Sequence, residues 1–190
     1  MYIKDILKKI YILSIGYLQR KAAWEILLKV SSGDFTDQAL EKDLKNYKFN
    51  PLDIAFITEL SFGCIRYRKF LDLWTDHTSK INHKKQPPKL RWLLHVGLYQ
   101  LLKMDKIPFS AAISTTVEVA KKTELKGLAG TVNAILRNAS RKLGQEILPK
   151  LSSDRKDRIS YLESLPLWLV SDLYKWVGIN HAENIIKAFN

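Results

Sequence analysis

One cysteine in 190 residues leaves no partner for an intramolecular disulfide and no thiolate cluster for zinc. A reducing, cytoplasmic setting is the expectation. Glycine and proline are also scarce, at eight and six, and strand-like alternation of β-branched residues is missing. Apolar residues recur at intervals of three and four instead, which predicts an all-α chain. No apolar run approaches the roughly 20 residues that cross a bilayer. The best candidate, residues 10–18, lies between Lys8-Lys9 and Gln19-Arg20-Lys21 with no small-residue cleavage site after it. Residues 1–18 are expected to be a leader that packs on the domain or frays, or an overlong start. No membrane partner is expected.

Carboxylates are missing from two windows. Residues 77–104 carry six cations (Lys80, Lys84, Lys85, Lys89, Arg91 and Lys103), and residues 125–145 carry four (Lys126, Arg137, Arg141 and Lys142). Neither window has an Asp or Glu, so together they supply ten of the net twelve positive charges. Basicity segregated in this way attracts a polyanion at long range and binds it by counterion release. A nucleic acid is the expected partner.

The periodicity divides the chain into helices. A first helix from Gln19 turns Ala22, Ala23, Ile26, Leu27 and Val30 to one side and stops at Ser31-Ser32-Gly33. A second begins after Thr36 as N-cap, with Leu40, Leu44 and Tyr47 inward. A third opens at Asn50-Pro51 and runs through Ile54, Ile57, Leu60, Cys64, Leu71 and Trp74, with a kink expected at Gly63. The fourth, from Pro87-Pro88, is apolar on two sides, Leu90, Leu94 and Leu101 against Trp92, Val96 and Tyr99, and is expected to be central. Ser110 is expected to cap the fifth, whose inward residues are Ile113, Val117 and Ala120. The sixth carries Leu128, Val132, Ile135, Leu136, Ala139 and Leu143.

Periodicity then lapses. Gly144, Pro149, Ser152 and Ser153 suggest a linker over residues 146–163. Helical signals resume at Ser164-Leu165-Pro166 and end at Gly178, a C′ residue. Asn180 to Glu183 read as a capping-box start for a last helix.

The sequence LRWLLHVGLYQLLKMDKIPFSAAISTTVEVAKKTELKGLAGTVNAILRNASRKL, residues 90–143, carries Leu90-Arg91, Tyr99-Gln100-Leu101, Ile107-Pro108, Val117-Glu118-Val119-Ala120-Lys121 and Val132-Asn133-Ala134-Ile135-Leu136-Arg137 in this order. It resembles the NusB-like RNA-binding domain, and the resemblance covers residues 19–145. The segments Arg20-Lys21-Ala22-Ala23-Trp24-Glu25-Ile26-Leu27, Glu59-Leu60-Ser61-Phe62-Gly63-Cys64-Ile65-Arg66 and Pro166-Leu167-Trp168-Leu169-Val170 resemble the version found at the front of RsmB/Sun-type RNA cytosine-5 methyltransferases. Residues 164–190 would then begin a connector to a methyltransferase domain beyond this chain. The resemblance implies an all-α, NusB-like helical bundle with a short helical connector. It also implies a domain that holds ribosomal RNA, in a parent that uses S-adenosylmethionine. The alternative is a NusB-type transcription antitermination factor that binds nascent RNA and a small ribosomal protein. A third is a bundle whose partner is another protein alone. Ser114-Thr115-Thr116 departs from the Asn-Glu-Ala common in the fifth helix, so no role of that Asn or Glu carries over.

The expected RNA-facing residues are Arg20, Lys21, Arg66, Arg68, Lys84, Lys85, Lys89, Arg91, Arg137 and Arg141. No catalytic or metal residue is expected in this chain. Cytosine-5 chemistry requires a thiolate and, in this family, a second cysteine, with a glycine-rich loop for the cofactor. Cys64 stands alone on an apolar helix and is expected to be inert. Gly127-Leu128-Ala129-Gly130 has no strand before it and reads as a close-packing helix start. His77, His83, His95 and His181 lack metal-ligand spacing, and His95 reads as a helix residue with a local hydrogen bond. Helical spacing assigns Trp24, Trp74, Trp168 and Trp176 to the core, leaving Trp92, beside Arg91, as the tryptophan that could stack on a base.

Overall fold

The central element is α5 (Pro88–Lys103), which packs against α1, α3, α4, α6 and α7. The structure, a computed structural model, describes residues 2–45 and 47–189, with side chains from residue 16 onward. Among the described residues there are ten α-helices, two single 3-10 turns and no strand. The order is α1 (Tyr2–Ser31), α2 (Thr36–Leu44), α3 (Pro51–Arg66), α4 (Arg68–Thr78), a 3-10 turn His83–Lys85, α5, α6 (Phe109–Lys121), a second 3-10 turn Lys126–Leu128, α7 (Ala129–Gly144), α8 (Arg155–Leu162), α9 (Leu167–Val177) and α10 (Ile179–Ala188).

The expectation of a central helix apolar on two sides holds. Leu90, Trp92, Leu93, Leu94, Val96, Leu98, Tyr99 and Leu101 are all buried, and Gly97 brings α7 close. A Cβ at Gly97 would stand 2.6 Å from Leu136 Cδ1, well inside contact distance. The first helix, expected from Gln19, is the C-terminal half of the longer α1; the expected leader falls largely on residues whose side chains lie outside those described. Of its expected inward set, Ala22, Ala23, Ile26 and Leu27 are fully buried and Val30 is half-buried.

Several local expectations need correction. The third helix breaks at Tyr67 (φ −93°, ψ 21°), not at Gly63, and becomes α3 and α4. Gly63 serves another purpose, because a Cβ there would overlap the Tyr99 ring. Asn50 caps α3 as expected, accepting the Asp53 N–H at 2.9 Å, with Pro51 in the first turn. Thr36 and Ser110 lie inside their helices; Phe35 and Pro108 hold the cap positions. Asn180 likewise lies inside α10, which begins directly after Gly178 (φ +74°).

The segment expected as a linker, residues 146–163, contains α8, capped by Asp154 through the Asp157 N–H at 2.9 Å. Its short length and charged composition hid it. Helices α8 to α10 enclose a small second core of Ile159, Val170, Leu173, Tyr174, Ala182 and Ile186. Lys69 joins that unit to the bundle, donating to Ser160 Oγ and to the Leu165 carbonyl at 3.3 Å. The Phe70 N–H adds a bond to Ser164 Oγ at 2.9 Å.

Candidate nucleic-acid interface

Arg68, Asp72 and Asp76 are spaced four apart on α4, so they form one stripe along that helix. In the middle of the stripe the buried Asp72 carboxylate meets α5. Arg91 donates through Nε to Oδ1 at 2.6 Å and through its second nitrogen to Oδ2. His95 Nε2 lies 3.0 Å from the same Oδ1. Burial alone would raise the Asp72 pKa, but the hydrogen bonds from His95 and Arg91 outweigh it and hold the carboxyl down at about 2. A carboxylate can only accept, so the neutral His95 carries its proton on Nε2. Burial keeps that ring neutral by lowering its pKa against the pull of Asp72, and Nδ1 is left buried without a partner.

The C-terminal part of the stripe straps the following loop to α4. Asp76 accepts the His83 N–H at 2.6 Å, the His83 ring Nδ1 at 2.7 Å and Asn82 Nδ2 at 2.9 Å. Asn82 Oδ1 in turn caps the 3-10 turn by accepting the Lys84 N–H at 3.0 Å. Lys84 and Lys85 are thereby held exposed beside Asp76. Helix α7 joins the same end, where Asn138 donates to the Thr78 carbonyl at 2.9 Å and Lys142 to the His77 carbonyl at 2.7 Å.

The cations on this face differ in what holds them. Arg137 Nε donates to Asn133 Oδ1 at 3.0 Å, and Arg141 donates to Asn138 Oδ1 at 2.9 Å. Both acceptors are neutral amides, so the guanidinium planes are oriented while their charge stays uncompensated. Arg68 lies over the Trp92 ring at 5.3 Å, a cation–π contact that also leaves the charge in place. Arg66 is exposed at the end of α3, two residues before it.

Four of the ten expected residues are committed elsewhere. Arg20 is 7% exposed; its Nε donates to Gln100 Oε1 at 2.8 Å, and its guanidinium lies 4.5 Å over Phe56. Burial pulls its pKa down to about 10. It is a core residue and presents nothing to a phosphate. Lys21 is tied to Glu25 at 2.6 Å and Lys89 to Glu124 at 2.5 Å, each charge being compensated by its neighbour. Arg91 is spent on Asp72. That leaves Arg66, Arg68, Lys84, Lys85, Arg137 and Arg141 exposed on α3, α4, the His83–Lys85 turn and α7.

The tryptophans are also reassigned. Trp92 is 6% exposed beneath Arg68, so it is no stacking platform, while Trp168 and Trp176 stand 66% and 69% exposed on α9. Helical spacing assigned Trp168 and Trp176 of α9 to the core, but the inner face of that helix is filled by Val170, Leu173 and Tyr174. His95 has a long-range partner on α4 in place of a local one. Asp72, Asp76, Asn133 and Asn138, which organise the face, did not stand out as functional residues. The signal for them was the four-residue spacing of Asp72 to Arg68, of Asp76 to Asp72 and of Asn133 to Arg137, and the three-residue spacing of Asn138 to Arg141.

Comparison with known proteins agrees with this architecture. The sequence pattern of the NusB family matches residues 18–141. The chain is 35% identical over 172 residues to a Synechocystis protein named "Probable ribosomal RNA small subunit methyltransferase B", covering 90% of this chain and 38% of that protein. It is 33% identical over 171 residues to ribosomal RNA small subunit methyltransferase B of Pseudomonas putida, covering 87% and 37%. The chain thus spans little more than a third of the length of these relatives. A crystal structure of PH0851 superposes with a TM-score of 0.72 at 12% identity, over 90% of this chain and 38% of that one, which shows the shared fold.

Proposed function

We propose that this chain, which belongs to the NusB family, is the RNA-holding domain of a ribosomal RNA (cytosine-C5) methyltransferase. The observation that carries the reading is the set of exposed cations on α4, the His83–Lys85 turn and α7 that form no ion pair among the described residues. Phosphate contacts of this kind supply affinity without sequence readout, which suits a domain that docks a large structured RNA. The relatives support the ribosomal substrate and the methyl transfer by their names. Neither of these two is named as an antitermination factor. A cytoplasmic setting accompanies a ribosomal RNA partner.

The described residues do not fit S-adenosylmethionine. Gly127 and Gly130 lie in open space at a 3-10 turn and the start of α7, with no strand among the described residues to support a cofactor loop. Cys64 is fully buried, and burial with the charge of Glu59 pushes its thiol well above the ordinary range. A thiol so held is a poor nucleophile. In this reading methyl transfer and cofactor binding belong to the part of the relatives that this chain does not cover.

The test is filter binding of the 190-residue chain to fragments of small-subunit ribosomal RNA across a salt series. Submicromolar binding that weakens steeply with salt supports the reading. Absence of binding at low salt would refute it.

A further inference from the structure

We propose that the stripe from Arg68 to Lys85, with Arg137 and Arg141 on the neighbouring helix α7, takes the sugar–phosphate backbones of double-helical RNA and not the bases of a single strand. This rests on the RNA-holding reading above and names its substrate class. Proteins that read single strands splay bases onto exposed aromatic rings. Here Trp92 is buried beneath Arg68, and the half-buried rings of Tyr67 and Phe70 at the start of α4 are covered by Lys103, 4.1 Å and 5.2 Å from their centroids. Among the described residues the exposed aromatic ones, Phe35, Phe109, Trp168, Trp176 and Phe189, belong to other elements.

The cations fall into two groups separated along α4. Arg68 marks one end, and Lys84 and Lys85 are strapped beside Asp76, eight residues further and thus about 12 Å along the helix axis. Between them the Arg91–Asp72 pair is neutral overall. Arg68 at one end, and two lysines against the single Asp76 carboxylate at the other, leave both ends net positive about a neutral, polar middle, which matches two phosphate rows facing each other across the wide, shallow minor groove of A-form RNA. Asn82 stands at the Asp76 end of the stripe, where Oδ1 accepts one N–H from Lys84 and keeps a second lone pair at an exposed position to which a ribose 2′-hydroxyl can donate.

Rigidity points the same way. Arg137 and Arg141 are held by amides on their own helix, and the His83–Lys85 turn is held by three hydrogen bonds to Asp76. Fixed cations recognise a fixed array of phosphates at low entropic cost, whereas a flexible strand would have to be ordered on them.

The experiment measures the affinity of the chain for an RNA hairpin duplex, a uridine-rich single strand of equal charge and a DNA duplex of the same sequence as the hairpin stem, at one salt concentration. The expected result is tightest binding to the RNA duplex, by about tenfold or more over both others, as shape recognition of the A-form requires. Arg68→Gln and Arg137→Gln should each weaken duplex binding regardless of stem sequence; Arg137 is exposed, so its replacement leaves the fold intact even if Arg68→Gln does not. Equal or tighter binding of the single strand, or of the DNA duplex, would overturn the duplex proposal while leaving RNA holding intact. Failure to bind any RNA would overturn both.

Discussion

Arg91 and Asp72 face each other fork to fork across the seam between α4 and α5, and the pair withdraws from RNA contact an arginine expected to make one. The carboxylate is buried, so its partner cannot be removed without exposing an uncompensated charge to the core. Arg91→Met should therefore destabilise the fold by about 3 kcal/mol, at the lower end for a buried pair because the Arg91 side chain is one-fifth exposed. Arg137→Gln should leave stability within about 0.5 kcal/mol. Urea unfolding of the two variants distinguishes a structural arginine from a surface one.

The same cluster sets a direction for acid stability. His95 is held neutral with its pKa lowered by burial, so below about 6.5 the unfolded chain takes up a proton that the folded one refuses. Asp72, depressed to about 2, keeps its charge in the fold after the unfolded carboxyl begins to protonate near 3.9. Both groups contribute stability at neutral pH that is lost as pH falls. Thermal unfolding from pH 8 to pH 4 should show the midpoint dropping below about 6.5, and His95→Gln should flatten the upper part of that drop.

The central helix predicts which core changes are costly. Leu94→Ala, at a fully buried site, should cost about 2 to 5 kcal/mol. Gly63→Ala should cost about 1 to 3 kcal/mol, because the new methyl group meets the Tyr99 ring. Pro108→Ala should cost less than about 1 kcal/mol, since the proline fixes φ ahead of α6 and leaves the Ala111 and Ala112 N–H bonds to its carbonyl unchanged. Chemical denaturation of the three variants should return that order.

Exposure of Trp168 and Trp176 has an optical signature. A Trp168→Phe/Trp176→Phe variant should lose most of the acrylamide-quenchable fluorescence, while Trp24, Trp74 and Trp92 stay protected. Retention of the quenchable fraction would place an exposed ring within the bundle.

Much of the fold could be read from apolar spacing. Leu90 to Leu101 announced a helix buried on both sides, and Asn50-Pro51 announced where α3 begins, because a cap and a fixed φ are local chemistry. The break at Tyr67 could not be read in the same way: Tyr99 fills the space at Gly63, and this long-range contact gives the glycine a role other than bending. Of the basic residues, sequence identified the charge but not its compensation. Arg20 and Arg137 look alike in a list of cations, yet Gln100 and Phe56 draw the first into the core, while Asn133 merely orients the second.

Compensated and uncompensated cations differ in what they can offer a phosphate, and one measurement isolates that difference. RNA affinity is followed against salt for two charge-matched variants, Arg68→Gln/Arg137→Gln and Lys21→Gln/Lys89→Gln, each checked for wild-type helicity. The first pair is uncompensated and should lower the salt slope by roughly 0.7 to 0.9 for each phosphate that is no longer neutralised. The second pair is already matched by Glu25 and Glu124 and should leave the slope unchanged. An equal fall in slope for the two variants would mean that net charge alone attracts the RNA and that the face on α4 and α7 has no special part in holding it.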